Sequence, residues 1–254
     1  MGITARLRCR LACERGFSLV ELLVVIALMG LILGATVTSI TTGRSAAAAD
    51  QERADTVSQA QTAITRMTTD LRHGYLFHVG ADSSCGGSTS WTNCIDFDAR
   101  GRTSVDTSTT PSTVTRTYQR IRYDCFTANK CVRSTTSATC VSPSCTSPPT
   151  LSAPPATGST LITNLQNSTV TAPGGTPAPV FDYVKAGGVS MASGEIPTSS
   201  FSAAPPYSIR VTLAVARKGE KRTGLAGNIY FQGAADLKNM NPDVSPCAQT
   251  YADC

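Results

Sequence analysis

Charged residues are scarce in this chain, and neither sign dominates. Asp, Glu, Lys and Arg make up 15% of its 254 residues, with 22 basic against 17 acidic side chains. A protein that binds nucleic acid through bulk charge has a strongly basic composition, and a chain that charge keeps disordered has many more ionised groups. The composition therefore excludes both classes.

Residues and motifs typical of catalytic centres are also few. The two histidines, His73 and His78, lie five positions apart at a predicted helix end and are poorly placed to share a metal. No nucleophile elbow, phosphate-binding glycine loop or pair of catalytic carboxylates occurs. Asp96 and Asp98 alternate as on a strand but lack the other oxygen ligands of a calcium loop, so we interpret them as surface carboxylates. We expect no enzymatic activity, no cofactor and no metal.

One long apolar run lies near the start of the chain. Residues 1–16 carry four arginines against one glutamate, and residues 17–40 contain a single charge, Glu21. Residues 22–40 would reach roughly 29 Å as a helix at about 1.5 Å per residue, enough to cross a bilayer core. The preceding positive charge holds the N-terminus in the cytoplasm. A secretory signal peptide is the alternative, but its apolar run is usually only about 7–15 residues long.

The residues around the start of this run form a specific pattern. A short basic leader ends at Gly16, Phe17 follows, and Glu21 is the fifth residue counted from Phe17, ahead of the unbroken apolar helix. This pattern resembles the N-terminal signature of type IV prepilins, shared by major pilins, minor pilins and type II secretion pseudopilins. The resemblance implies that a prepilin peptidase cleaves after Gly16 and that the new amine of Phe17 is N-methylated.

Glu21 is the residue of this helix that most requires an explanation. A carboxylate within a membrane helix is costly and marks a functional position. In the filament that the resemblance implies, the Phe17 amine is buried and needs a counter-charge. We expect Glu21 to neutralise the amine of a neighbouring subunit and to set the axial register. Gly30 and Gly34 could allow helices to approach closely, and main-chain flexibility is the alternative interpretation.

Residues 41–78 are predicted to continue the helix in amphipathic form. Apolar residues recur at helical spacing along one face, which would pack on a sheet. The members of this stripe are Val57, Ala60, Ile64, Met67 and Leu71, and the outer face carries Arg53, Gln59, Arg66 and Asp70. A coiled coil is the alternative, for which the run is too short.

Residues 79–254 are predicted to form an antiparallel β-rich domain. Alternating or β-branched runs indicate strands at 118–124, 130–134, 161–165, 180–184, 207–216 and 228–232. Residues 136–158, rich in Ser, Thr and Pro, are predicted to form an exposed loop. The expected class is therefore α+β: a cleaved leader (1–16), a membrane or filament-core helix (17–40), an amphipathic helix (41–78) and a sheet domain with disulfide-stapled loops.

The cysteines indicate an oxidising compartment. Two lie in the leader, and cleavage after Gly16 leaves eight, which group into four neighbouring pairs. Eight cysteines allow 105 connectivities, so spacing alone does not prove one. We expect sequential pairing that closes local loops, at about 2–3 kcal/mol each: Cys85–Cys94, Cys125–Cys131, Cys140–Cys145 and Cys247–Cys254. Structural zinc is the alternative, but most of these spacings exceed those of zinc knuckles.

A cluster of basic residues lies on the predicted hairpin. Charge interleaved with tyrosines is typical of a surface that binds single-stranded DNA by electrostatics and stacking. The residues are Arg116, Tyr118, Arg120, Arg122, Lys130 and Arg133. A solvated sheet face is the alternative interpretation.

The resemblance implies a minor pilin or larger pseudopilin that primes or caps a type IV pilus or a type II secretion-like pseudopilus. Its partners would be other pilins, prepilin peptidase and the inner-membrane assembly platform. Such a subunit spans the cytoplasmic membrane once before assembly and then enters a cell-surface or periplasmic filament. The alternatives are a pilus-associated binding module for DNA uptake (competence) or surface adhesion, and a membrane-anchored enzyme, for which the sequence offers no motif.

Overall fold

The computed structural model describes ten parts of the chain. They are residues 18–78, 85, 92–108, 113–125, 129–142, 148–167, 178–192, 195, 206–216 and 228–237. The chain divides into two compact units with a boundary between Glu52 and Arg53. The first unit holds the apolar half of the long helix, and the second holds the rest of that helix and both sheets.

Helix α1 (Leu19–Arg72) is 54 residues long. Ser18 precedes it, and its carbonyl accepts a hydrogen bond from the Leu22 N–H at 3.1 Å. Ser18 at the N-cap followed three residues later by Glu21 has the order of a capping box. An acidic residue in the first turn is also favoured by the helix dipole. The sequence therefore contains its own signal for a helix that starts at Leu19.

The helix ends at Arg72, earlier than the boundary at residue 78 expected from the sequence. Strand β1 (Gly74–His78) follows almost at once. Gly74 permits this tight transition, because a Cβ there would lie 3.0 Å from both the Leu71 carbonyl oxygen and the Phe97 ring. The α1 helix and β1 are therefore joined without a loop.

In the described residues, eight strands form two antiparallel sheets, one of five strands in the order β1-β2-β3-β4-β5 and one of three in the order β6-β7-β8. The remaining strands are β2 (Cys94–Asp106), β3 (Thr113–Asp124), β4 (Cys131–Val141), β5 (Ser159–Ile162), β6 (Phe181–Val184), β7 (Ser208–Ala216) and β8 (Asn228–Asp236). The predicted α+β class, a long helix with an antiparallel sheet domain, is confirmed.

The stripe of α1 packs as expected. Ala60, Met67 and Leu71 are fully buried and join the core formed with side chains of both sheets. The rings of Phe77 and Phe97 stack at a centroid distance of 5.1 Å. Burial of these apolar surfaces, at about 25 cal/mol per Å², is the main stabilising contribution to the second unit.

Strand β8 approaches α1 closely at Gly233. A Cβ at that position would lie 2.6 Å from the Ile64 Cγ2 atom and 3.0 Å from the Thr68 Cγ2 atom. The carbonyl of the next residue, Ala234, accepts a hydrogen bond from Arg72 Nη2 at 3.3 Å. The second sheet therefore contacts the helix through a site that only glycine fits.

A short segment around residue 165 joins the two sheets. The Leu165 N–H donates to the Asn129 carbonyl at 2.7 Å beside the five-stranded sheet. The buried Asn167 side chain bonds to strand β7, with Nδ2 donating to the Thr212 carbonyl and Oδ1 accepting from the Ala214 N–H, each at 2.8 Å. The Asn167 side chain thus supplies hydrogen bonds to β7 that a neighbouring strand would otherwise supply.

The predicted loop over residues 136–158 is wrong in two respects. Residues 136–141 belong to β4, because they continue the ladder with β3. Leu151 and Pro154 are buried, and the Leu151 carbonyl accepts a hydrogen bond from Arg120 Nη1 at 3.4 Å. Residues 148–154, which we call the strap, therefore contact β3 instead of lying in solvent.

Candidate assembly site

The first part of α1 presents a continuous apolar surface. Every large apolar side chain between Leu19 and Ile40 is exposed, with relative accessibilities from 47% to 77%. The helix is long and apolar enough to cross a membrane, by length and composition. A surface of this kind needs lipid or other helices around it.

Gly30 and Gly34 lie on this apolar surface. A Cβ built at either position meets nothing within 4 Å. Within the isolated chain, a residue with a Cβ atom would therefore fit at both positions. This agrees with a role in close helix approach.

Hydroxyl groups in the following turns are bonded to the helix itself. Thr36, Thr38 and Thr41 each donate to the carbonyl four residues earlier, at 2.7–3.0 Å. Thr42 also donates to the carbonyl four residues earlier, that of Thr38, and Ser45 donates to the carbonyl three residues earlier, that of Thr42. A hydroxyl that bonds within its own helix can enter an apolar environment at reduced cost.

Glu21 lies in the first turn of α1 and is exposed in the isolated chain. The expected cleavage site at Gly16 and the residue expected to be methylated, Phe17, lie outside the described residues. The structure thus places the Glu21 carboxylate at the accessible N-terminal end of the apolar surface. The expected pairing with the amine of another subunit remains a prediction.

Asp70 connects the end of α1 to the five-stranded sheet. Its Oδ2 atom accepts hydrogen bonds from the Tyr123 hydroxyl at 2.6 Å and from Arg133 Nε at 2.8 Å. Arg66, one helical turn earlier, lies 3.5 Å from the same oxygen. We call Asp70, Tyr123 and Arg133 the Asp70 cluster. Burial and the neighbouring Asp70 carboxylate raise the pKa of Tyr123, so its hydroxyl remains a donor.

The position of Asp70 differs from the sequence expectation. Asp70 was expected on the outer, solvated face of the helix, whereas only 14% of its side chain is exposed. Sequence reasoning missed it because its partners lie 53 and 63 residues away. It sits at the margin of the apolar stripe, next to Leu71.

The predicted DNA-binding cluster does not form a free cationic surface. Arg120 is buried and forms a bidentate ion pair with Asp96, in which Nε lies 3.0 Å from Oδ1 and Nη2 lies 2.8 Å from Oδ2. Arg122 bonds to Asp124 at 2.6 Å, and Arg133 belongs to the Asp70 cluster. These guanidinium groups are neutralised within the domain and are not available to phosphates as the hypothesis required.

The other members of that cluster are also partly or wholly covered. Tyr118 is 5% exposed and its ring makes an edge contact with Tyr75, so it offers no open face for base stacking. Arg116 and Lys130 are half-buried. The interpretation of Tyr118 and Arg120 as exposed neighbours is therefore wrong, because the strap packs beside Arg120.

The interpretation of Asp96 and Asp98 as surface carboxylates is also wrong. Both are buried, with relative accessibilities of 1% and 5%. Asp96 is the partner of Arg120, and Asp98 Oδ1 lies 3.0 Å from His78 Nε2. These side chains form a buried polar layer on one face of the sheet, across β1, β2 and β3. His78 is therefore not the solvated helix-end residue that the sequence indicated, whereas His73 is exposed.

Two of the four expected disulfides lie within the described residues. Cys85 is bonded to Cys94, and Cys125 to Cys131. Cys140 is also disulfide-bonded, but its expected partner Cys145 lies outside the described residues, as does the Cys247–Cys254 pair. The Cys125–Cys131 bridge closes the β3–β4 turn next to the Asp70 cluster.

A metal centre is not formed by the residues that the structure describes. No group of three or more His, Cys, Asp or Glu side chains is arranged to hold an ion there. The buried Asp96 carboxylate is instead paired with the Arg120 guanidinium group.

Comparison with known proteins identifies the N-terminal end of the chain as its most informative part. Residues 11–37 match the family model described as the prokaryotic N-terminal methylation motif. Gly16, Phe17, Glu21, Gly30 and Gly34 all fall within the match. The chain therefore carries a type IV pilin-like signature, as its resemblance to prepilins predicted, and the motif points to a structural subunit.

Searches of curated proteins and of solved structures found no match to the chain.

Proposed function

We propose that this protein is a minor pilin or pseudopilin that enters a type IV pilus or a type II secretion-like pseudopilus through α1. The main observation in support of the proposal is that a processing motif and an exposed apolar surface lie in the same segment of the chain. The N-methylation motif at residues 11–37 overlaps the exposed apolar surface of α1 and includes Glu21, whose carboxylate we expect to be buried in the filament. Processing and helix burial would thus act on the same segment.

The proposed sequence of events starts in the cytoplasmic membrane. Prepilin peptidase cleaves after Gly16, the Phe17 amine is methylated, and α1 spans the bilayer once. The assembly platform then transfers the helix from lipid to a filament core, where apolar burial is retained and Glu21 meets an amine of a neighbouring pilin-type subunit. Priming or capping the filament is the role we assign to this subunit.

The sheet domain supports the proposal by its attachment to α1. The Asp70 cluster, the Gly233 contact and the buried stripe all bind the domain to residues 53–72 of the helix. A domain fixed in this manner would be carried with the helix into a filament.

DNA uptake and adhesion remain alternative functions. No observation among the described residues favours either one. Three of the four arginines expected to bind DNA, Arg120, Arg122 and Arg133, form ion pairs within the domain.

The test is intact-mass and N-terminal peptide analysis of protein from sheared surface fibres or the periplasm, in wild type and in a Glu21→Gln variant. We expect wild-type chains that begin at N-methyl-Phe17 and a variant that is processed but at least tenfold depleted from filaments. The Glu21→Asp variant, which keeps the charge, is the matched control and should retain partial incorporation. Wild-type chains that still begin at Met1 would overturn the proposal.

A further inference from the structure

Within the described parts of the chain, no strand pairs with the outer edge of the five-stranded sheet beyond the end of β1. Strand β1 pairs with β2 only as far as Ala99, and the Arg100 N–H donates to the His73 carbonyl at 3.1 Å. Residues 101–106 continue β2 past this point, and all of their side chains are exposed. We call residues 101–106 the β2 edge.

The backbone of the β2 edge presents hydrogen-bonding groups to solvent. Val114 of β3 lies opposite Val105, and its carbonyl accepts from the Ser142 N–H on the β4 side, at 2.9 Å. Val114 therefore does not bond to β2, because both backbone groups of a residue in an antiparallel ladder face the same neighbour. The N–H and C=O of Val105, and those of Thr103 two residues earlier, consequently face away from β3.

The sequence of the β2 edge suits strand pairing. It contains the β-branched residues Thr103 and Val105 and no proline. The register of the β2–β3 ladder shifts between Arg100 and Thr103, so the regular part of this edge starts at Thr103. Its two charges are opposite in sign and symmetric about Ser104, with Arg102 on one side and Asp106 on the other. Such an arrangement is complementary to itself in an antiparallel pair.

The Asp106 carboxylate could accept a hydrogen bond from a donor on another molecule. Its Oδ1 atom accepts hydrogen bonds from the N–H and the hydroxyl of Ser108, at 2.9 and 2.6 Å. These bonds lower the pKa of the Asp106 carboxyl, so it is ionised at neutral pH. They engage one carboxylate oxygen and leave Oδ2 for a guanidinium group.

We propose that the β2 edge is a self-association site, at which two copies of this chain pair antiparallel about a two-fold axis at Ser104. Thr103 of each copy would then exchange backbone hydrogen bonds with Val105 of the other. Arg102 of each copy, which lies in the register shift ahead of Thr103, would reach Asp106 of the other copy through its long side chain. Among the registers that match the outward backbone groups, this one alone pairs both charges, since a shift by two residues moves Arg102 away from Asp106.

This contact goes beyond the proposed function. A two-fold axis perpendicular to the sheet reverses the direction of the helix segment 53–72 that packs on it. Subunits along one polar filament all point the same way, so the β2 edge would join free subunits or subunits of two filaments. The pairing is isologous and stops at two copies.

The experiment is cross-linking of the full chain in detergent, with a Ser104→Cys variant. In the proposed register the two residues at position 104 form a non-hydrogen-bonded pair, whose Cα atoms are about 4.5 Å apart, within the range that a disulfide can bridge. Mild oxidation should give a dimer on non-reducing electrophoresis. The matched control is Ser137→Cys, which lies exposed on β4 of the same sheet, and we expect at least tenfold less dimer from it.

Charge exchange tests the register. In the Ser104→Cys background, Arg102→Asp should reduce the dimer at least fivefold, and adding Asp106→Arg should restore it. Equal cross-linking by the two cysteine variants, or no effect of Arg102→Asp, would overturn the proposal. Mixed dimers formed only between Ser104→Cys and Ser137→Cys chains would also overturn it and would indicate head-to-tail pairing instead. The readout requires neither processing nor filament assembly, so it is independent of the proposed function.

Discussion

The Tyr123 hydroxyl donates a hydrogen bond to Asp70 Oδ2 over 2.6 Å, and this bond joins the last turns of α1 to the middle of the sheet. Arg133 donates to the same oxygen at 2.8 Å. A single carboxylate oxygen therefore holds two strands, β3 and β4, against the helix. Hydrogen bonds to charged groups contribute more to stability than those between neutral groups.

Replacing Tyr123 with Phe should lower the free energy of unfolding by about 1.5–3 kcal/mol, because the ring stays packed while the bond to a charged acceptor is lost. Denaturation of the full chain in detergent, followed by near-UV circular dichroism, measures this. The exposed Tyr230 of β8 supplies the control, since Tyr230→Phe removes a hydroxyl that solvent already satisfies. Equal stability of Tyr123→Phe and wild type would show that the Asp70 cluster is not a stabilising contact.

Removing one partner of the Asp96–Arg120 pair should lower the free energy of unfolding far more than replacing both partners. Asp96→Ala leaves a buried guanidinium group without its partner, and we expect a loss of about 3–5 kcal/mol. A double variant, Asp96→Val with Arg120→Met, should recover most of this loss because no buried charge remains. Chemical denaturation of both variants checks the difference. Glu195→Gln, at the exposed ion pair with Lys185, is the control and should leave the unfolding midpoint unchanged.

Asn167→Ala should destabilise the second sheet. The change leaves the Thr212 carbonyl and the Ala214 N–H without their side-chain partner in a buried position, at a cost of at least about 2 kcal/mol. Hydrogen exchange of the Ala214 amide provides a local measurement, and it should accelerate at least tenfold. Asn164, whose φ of 60° suits glycine, allows the control Asn164→Gly, which should exchange at the wild-type rate.

Alkaline pH should unfold the domain through its buried tyrosines. Burial raises the pKa of Tyr183, and burial together with Asp70 raises that of Tyr123. Both groups stay protonated in the folded state while the unfolded chain releases their protons near pH 10. Stability is therefore fully present below about pH 10 and falls above it, by up to about 1.4 kcal/mol per pH unit for each tyrosine.

Urea titrations at pH 9, 10 and 11 measure this dependence. Tyr183→Phe should reduce the slope of stability against pH above pH 10, and the Tyr230→Phe control should not. A wild-type slope that matches that of Tyr183→Phe would contradict the prediction.

The fold was largely predictable because its strongest signals are local. The apolar run, the stripe from Val57 to Leu71 and the alternation in β7 each depend on residues close in sequence. Strand β1 was missed because it begins at Gly74, directly after the helix end, and its five residues resemble a continuation of the helix. The extension of β4 was missed because its Ser- and Thr-rich residues resemble a loop.

The buried polar groups were less predictable, since burial of a strand face depends on what covers it. The strap covers the face that carries Arg120, and its Ser- and Pro-rich sequence indicated an exposed loop. One signal could have revealed the buried polar layer: Asp96 and Asp98 on β2 have the same spacing as Arg120 and Arg122 on β3 and carry the opposite charge. Complementary charges on neighbouring strands predict pairing within a sheet.

The internally bonded hydroxyls that follow Ile32 have a consequence for how the subunit could leave the bilayer. Thr36, Thr38 and Thr41 show lipid chiefly their methyl groups, because their hydroxyls are bonded to carbonyls of α1. Sliding the helix by one turn, about 5.4 Å, would therefore exchange apolar side chains for threonines that already have hydrogen-bond partners. We expect the helix to tolerate a one-turn displacement toward the cytoplasm, whereas displacement the opposite way, as in extraction, would draw Glu21 into the apolar core of the bilayer.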